Sequence, residues 1–410
     1  MSNIKPFKAL RPQVQIAKEV ASRPYDVLNS AEARIEVQGN PYSFLHITKS
    51  EVSLPASVDI HSQEVYEMAK DNLATFIRNK TLFREEKPCY YIYQLIMNGR
   101  SQTGLVCVSS VDDYENDIIK KHEFTRPEKE LDRINHIKTS VAQTGNVFLA
   151  YKNVAEIDAL IDKWKTKAPV YDFLADDGIQ NTIWLVNDDK VIANITHLFD
   201  TLVPFTYIAD GHHRAASAAK VRKALGTAAT EGSNHFLTTL FPSNQLFIMD
   251  YNRLVKDLNG LTKDAFFAAV EEKFIVKRHG LEAFKPTTLH EFGMFIDKTW
   301  YKLIAKEGTY TTDPIGILDV TILQNNILDA ILGIKDPRTD TRIDFVGGIR
   351  GLKSLSDRVN SGEMAVAFSL YPVTINQLFD IADSGNVMPP KSTWFEPKLR
   401  DGVLTHLIYE

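Results

Sequence analysis

The chain is poor in the features that assign a protein at first sight. Its 410 residues include two cysteines, Cys89 and Cys107. Two thiols make no disulfide framework, and both lie in apolar, strand-like surroundings, so a cytoplasmic protein with reduced thiols is expected. No apolar stretch approaches the ~20 residues that a spanning helix needs. The start, Met1-Ser2-Asn3-Ile4-Lys5-Pro6-Phe7, has no apolar signal core. With 47 Lys and Arg against 52 Asp and Glu, the net charge is −5, and no basic excess suggests nucleic acid. There is no P-loop ending in Gly-Lys-Ser/Thr, no Rossmann glycine fingerprint in a suitable place and no Gly-x-Ser-x-Gly elbow. No internal repeat shows.

What is present is a soluble globular composition, 44% hydrophobic and 24% charged. The length implies two or three domains. Apolar spacing predicts helices at 64–79, from Pro127 to about Ala142, and at 154–165 and 262–274. Thr125 and Thr262 are the caps expected for the second and last of these. Strands are expected at 89–97 and 102–108 around Asn98-Gly99, a strong hairpin signal. Further strands are expected at 147–151, 205–209 and 236–241. Asn40 to Ile47 reads as a turn leading into a strand. Residues 179–186 and 190–195 read as a hairpin around Asn187-Asp188-Asp189.

Two segments carry chemistry. The first is Asp210-Gly211-His212-His213-Arg214, set between an apolar strand and the Ala-rich run 215–225. Such a turn presents backbone N–H groups and a helix dipole to an anion. Gly211 permits a positive φ, and Arg214 suits phosphate or carboxylate. Asp210 reads as a partner for a metal or a hydroxyl. The bland alternative is an ordinary Asp-Gly turn before a helix. Adjacent histidines point in different directions on a helix, so both on one ion is disfavoured, and one of them on a phosphate oxygen fits better.

The second is Lys121-His122-Glu123-Phe124-Thr125-Arg126. It fails the zinc pattern His-Glu-x-x-His because Arg126 stands at the second histidine position. Either it is part of a solvated charged face, or Glu123 is a carboxylate base among cations, Lys121, Arg126, Lys129 and Arg133, that bind an anionic ligand. Two weaker segments follow. Val346-Gly347-Gly348-Ile349-Arg350-Gly351 is a phosphate loop or a hairpin turn. Lys391-Ser392-Thr393, on a proline-stiffened tail, either packs over a core through Trp394 and Phe395 or closes one side of a site.

The Asp210–Arg214 turn resembles the ParB/sulfiredoxin-like superfamily, and within it the ADP-dependent free serine kinases. These carry an Asp-Gly-His-His-Arg turn before a helix and an upstream His-Glu pair, here His122-Glu123. Over nearly the whole chain the sequence resembles the bacterial domain-of-unknown-function family 1015. That likeness rests on Ile4-Lys5-Pro6-Phe7, Arg23-Pro24-Tyr25-Asp26-Val27, Asn40 to Leu45, His122 to Arg126, the Asp210 turn and Met388 to Lys398.

The resemblance implies an α+β fold. A central ParB/serine-kinase-like domain, 115–253, is flanked by an N-terminal α/β region, 1–114, and a C-terminal one, 254–410. It implies a nucleotide-dependent phosphotransferase acting on a small hydroxyl metabolite, with free L-serine as the leading substrate. Glu123 would be the base, with Asp210 and His213 beside it in catalysis and Asp210 as the metal ligand. Gly211, His212, His213 and Arg214 would hold the nucleotide. His122, Arg126, Arg133, Lys391, Ser392 and Thr393 would face the substrate. The cofactors implied are ADP or ATP with Mg²⁺. The partners expected are the nucleotide, the small-molecule substrate and optionally a second copy of the chain, with no nucleic acid and no membrane. The alternatives are a nucleotide-binding regulatory protein without turnover, and a phosphohydrolase using water at the same site.

Overall fold

The computed structural model describes residues 1–409, and the chain packs as two units. One is Met1–Leu246 with the segment from Pro397 to the C-terminal end; the other is Phe247–Glu396. Both mix strands and helices, an α+β architecture. In the first unit nine strands form one sheet. Along its path the order is Ile119–Lys120, Thr206–Asp210, Val147–Tyr151, His235–Pro242, Arg100–Ser110, Tyr90–Met97, Gln180–Val186 and Tyr171–Leu174, and Ile4–Lys5 pairs with Arg100–Ser110 off this path. Strands from before the division expected at 114 and from after it therefore share one sheet.

The sheet is mixed. Thr206–Asp210 runs parallel to Ile119–Lys120, and His235–Pro242 parallel to Val147–Tyr151. The expected hairpin forms: Asn98 and Gly99 take φ of 51° and 76°, and Met97 pairs with Arg100. Such positive φ values suit the twist of a tight hairpin. The core holds Tyr90, Ile92, Leu105, Cys107, Leu149, Trp184, Phe199 and Ile208, all buried. Burial pushes the thiols up, Cys89 to about 11 and Cys107 to about 12, so both are inert apolar fillers at neutral pH. Gly104 is needed for close approach, since a Cβ there would lie 2.6 Å from Thr239 Cγ2 and 2.9 Å from the Phe241 ring. Gly104→Ala is expected to cost about 1–3 kcal/mol by overpacking, read as a lowered urea midpoint.

Two local expectations are corrected. Residues 189–202 form a helix rather than the second arm of a hairpin. The Asp188 carboxylate accepts from the N–H groups of Lys190 and Val191, and Ile195 and Phe199 fall four residues apart on the buried face. Capping and a helical apolar period decide it. Likewise Leu45–Thr48 is a helical turn, not a strand. The helix Pro127–Ser140 forms as expected, but its cap position is Arg126; the Thr125 hydroxyl donates instead to Glu130.

The second unit has a six-stranded antiparallel sheet, ordered Phe274–Gly280, Thr299–Ala305, Glu291–Ile296, Val366–Leu370, Tyr251–Val255 and Ile343–Gly347. On one face Leu254, Phe295, Trp300, Leu355 and Ala367 pack together. The glycine pair at the end of the strand Ile343–Gly347 is explained by packing: a Cβ at Gly347 would meet the Trp394 indole at 3.0 Å, and one at Gly348 would meet the Asp250 carboxylate at 2.5 Å. Among the described residues no helix is long and apolar enough to cross a membrane.

Candidate functional site

The parallel pairing of Ile119–Lys120 with Thr206–Asp210 places the site. Ile119 is opposite Thr206 and Lys120 opposite Tyr207, so both strands leave the sheet in the same direction. The loop 121–126 therefore emerges beside the turn at Asp210-Gly211, although 90 residues separate them in sequence. Gly211 adopts φ 95° and precedes the helix His212–Leu225 with no side-chain cap. The first backbone N–H groups of that helix consequently have neither an intrahelical acceptor nor a capping side chain.

The two segments interlock through the histidines. The His122 N–H donates to His212 Nε2 at 3.5 Å, and the Arg126 N–H donates to His213 Nε2 at 3.0 Å. With Nε2 accepting, the ring proton of each lies on Nδ1. His212 Nδ1 is 3.8 Å from the Glu123 carboxylate, whose side chain is 47% exposed. Glu123 thus stands at the surface beside a buried imidazole. His122 and His212 meet edge to face with centroids 4.5 Å apart. Burial holds both neutral: it lowers His122 to about 4, and burial with the neighbouring His122 holds His212 well below the ordinary imidazole value.

A depressed histidine makes stability pH-dependent. Below the ordinary value of 6.5 the unfolded chain takes up a proton that folded His122 refuses until about pH 4. Folding stability therefore falls as pH drops through this window, by about 3 kcal/mol from this residue at roughly 1.4 kcal/mol per unit. His122→Gln should flatten that part of the acid limb in a series of urea melts.

Arg214 faces inward. It is 9% exposed, and its guanidinium donates to the Asn146 carbonyl, to Asp26 at 2.9 Å and to Asp210 at 3.4 Å. Burial would lower its pKa, but Asp26 and Asp210 override that and raise it well above the usual value. Asp210 has a second cation, Lys398 Nζ at 3.3 Å. Burial alone would raise its carboxyl; Lys398 and Arg214 hold it well below the usual carboxylate range. Nearby, burial pushes the Asp401 carboxyl up to about 8 against the pull of Arg214. Arg133 also turns inward, 3.9 Å over the Tyr25 ring and paired with Asp132 at 2.6 Å. The cavity lined by Tyr25, Arg133, Thr144, Gly145 and Arg214 is about 20 Å³, room for one water and not for a nucleotide. Arg126 is exposed and His213 half-buried.

Of the expected site residues, the structure thus brings together His122, Glu123, Arg126, Asp210, Gly211, His212 and His213. It commits Arg133 and Arg214 to interior pairs. Lys391, Ser392 and Thr393 belong to the second unit, where Ser392 is buried and its hydroxyl donates to the Pro389 carbonyl at 2.6 Å. Asp26, Lys398 and Asp401 were not singled out from the sequence. Asp26 and Lys398 lie in motif stretches, but no local signal pairs residues 188 positions apart. Mg²⁺ fits Asp210 poorly as a resident ion. Its carboxylate already answers two cations, and no cluster of three or more His, Cys, Asp or Glu among the described residues is arranged to hold a metal.

Among solved structures, the chain is similar to a variant of free serine kinase in complex with AMP, at 12% identity and a TM-score of 0.36 over 73% of this chain and 91% of that one. It is similar to a conserved hypothetical protein from Pyrococcus furiosus at 13% identity and a TM-score of 0.34, over 74% and 95%. SbnI with C-terminal truncation from Staphylococcus aureus gives 10% and 0.38, over 74% and 87%. Likeness at this level does not align individual site residues. No curated protein matches. The family is shown by sequence instead: a model described as protein of unknown function, DUF1015, matches residues 4–321, more than half of the chain, and the chain belongs to that family.

Proposed function

We propose that the first unit binds a nucleotide and transfers its phosphoryl group to a small hydroxyl metabolite, with free L-serine as the first substrate to test. The observation that carries this reading is the meeting of Glu123 with the uncapped N-terminus of His212–Leu225. A base and an anion cradle, far apart in sequence, share one surface. The backbone N–H groups of His212 and His213 bind phosphate oxygens where the helix dipole favours negative charge. His213, its proton fixed on Nδ1 by the Arg126 N–H, adds a donor, and exposed Arg126 adds a cation. Glu123 takes the proton of the acceptor hydroxyl. Asp210, kept ionised by Lys398 and Arg214, accepts from and orients that hydroxyl. Bound ADP or ATP would supply the phosphoryl group, and Mg²⁺ would arrive with the nucleotide rather than reside on the protein. The likeness of the turn to ParB/sulfiredoxin-like proteins agrees with this assignment.

The test is direct. Full-length protein with ADP or ATP, Mg²⁺ and a panel of hydroxy amino acids, hydroxy acids and sugars is analysed by mass spectrometry for phosphorylated product. Calorimetry measures nucleotide binding alongside. Absence of nucleotide binding refutes the proposal. Binding without product selects the regulatory alternative, and phosphate release without an acceptor selects the hydrolytic one.

A further inference from the structure

The second unit contains a buried cation with no acid beside it. Arg253, in the strand Tyr251–Val255, is 3% exposed and lies across from Phe345 and Phe368 on the neighbouring strands. Its guanidinium is 5.3 Å from the centre of the Phe345 ring. One terminal nitrogen donates to the Tyr251 carbonyl, and the other to the Lys391 carbonyl at 3.0 Å. Carbonyls satisfy the donors but do not neutralise the charge. The other buried arginines are each matched with a carboxylate: Arg11 with Glu85, Arg214 with Asp26 and Arg400 with Asp177. Among the described residues no ion pair does the same for Arg253. Burial lowers it to about 10, which leaves it protonated at neutral pH. An uncompensated interior charge is costly, and its field is weakly screened.

A second cation belongs to the residue that receives Arg253. The carbonyl that receives Arg253 belongs to Lys391, an exposed residue held at φ 57° after Pro389-Pro390. Its Nζ is 5.7 Å over the Tyr251 ring. The segment is fixed in turn by pairing of Ile248–Met249 with Trp394–Phe395 and by the Trp394 ring, 5.3 Å from Tyr251. So one turn carries an exposed ammonium on its side chain and receives a buried guanidinium through its backbone carbonyl, and among the described residues no ion pair joins a carboxylate to either.

We propose that Arg253 and Lys391 form an oxyanion site, at which Lys391 contacts the phosphate or carboxylate group of a small ligand and Arg253 supplies charge from beneath. The inference is independent of the kinase reading, which rests on the first unit. The probes are inorganic phosphate and, separately, acetate, titrated calorimetrically into the full-length protein at ionic strength held constant with NaCl. Wild type is expected to bind at least one of them. Lys391→Gln should weaken that binding at least tenfold and abolish the accompanying rise in Tm. Phosphate binding that is lost in His213→Ala but kept in Lys391→Gln belongs to the first unit, and overturns the proposal for phosphate. Arg253→Met should behave as Lys391→Gln; if it fails to fold, Lys391→Gln decides alone. Binding of neither anion by wild type, or equal binding by wild type and Lys391→Gln, overturns the proposal and leaves Arg253 as a pin for the turn. A null effect of His213→Ala bears on the kinase site and not on this one.

Discussion

Glu123→Gln is expected to lower phosphoryl transfer by about 10²- to 10⁴-fold, the range for loss of a positioned general base, while nucleotide affinity changes little. The substitution keeps the shape of the side chain and its ability to accept a hydrogen bond, but removes the proton acceptor. His212 Nδ1 lies 3.8 Å away and loses a weak electrostatic partner, and a urea melt of the variant checks that the fold is kept. A loss of kcat at constant nucleotide Kd assigns Glu123 to the chemical step. If kcat is unchanged, the base is elsewhere. If nucleotide affinity falls in parallel with kcat, the residue acts in binding, and the proposed division of labour between the loop and the helix N-terminus fails.

Arg214→Met should have the largest effect on stability, a loss of about 3–5 kcal/mol, as found when one partner of a buried ion pair is removed. The guanidinium links four elements: the turn at Asp26, the carbonyl of Asn146, the end of the strand Thr206–Asp210, and its own helix. Without it, Asp26 loses this ion pair and Asp210 keeps Lys398 as its cation. The check is a urea melt followed at two pH values. Because Asp210 is held far below its ordinary pKa by Lys398 and Arg214, removing Arg214 lets that pKa rise. Part of the lost stability should then be recovered on acidification, as the orphaned carboxylates accept protons. A loss under 1 kcal/mol would show that the cluster is hydrated and weakly coupled. Arg214→Lys should not rescue fully, because an ammonium cannot bridge a carbonyl and two carboxylates in one plane.

Much of the fold was legible from local rules. The Asn98-Gly99 hairpin, the helix Pro127–Ser140 and the strand-turn-helix around Gly211 follow from turn chemistry, apolar period and a glycine at positive φ. The hairpin expected at 187–189 failed because the strand reading overlooked Asp188 as a cap and the four-residue spacing of Ile195 and Phe199. The site was half legible. His122-Glu123 and Asp210–His213 stood out as charged or polar segments next to apolar strands, and residue type alone pointed to a base and an anion-binding turn.

What the sequence by itself determined is the inventory: two cysteines in apolar runs, an α+β pattern, a glycine turn opening a helix, and a carboxylate in a cationic loop. Which of the cations are drawn into interior ion pairs was decided only by tertiary structure. Arg214 and Arg133 share the residue type and spacing of a phosphate site, yet both are drawn inward by acids distant or adjacent in sequence, Asp26 and Asp132. Lys398, unremarkable in its own segment, reaches Asp210 from 188 residues away. The reason is electrostatic and non-local. A charge goes where the fold can compensate its burial, and compensation depends on which strands run parallel and which loops they deliver side by side. A one-dimensional pattern carries the charges but not those neighbours.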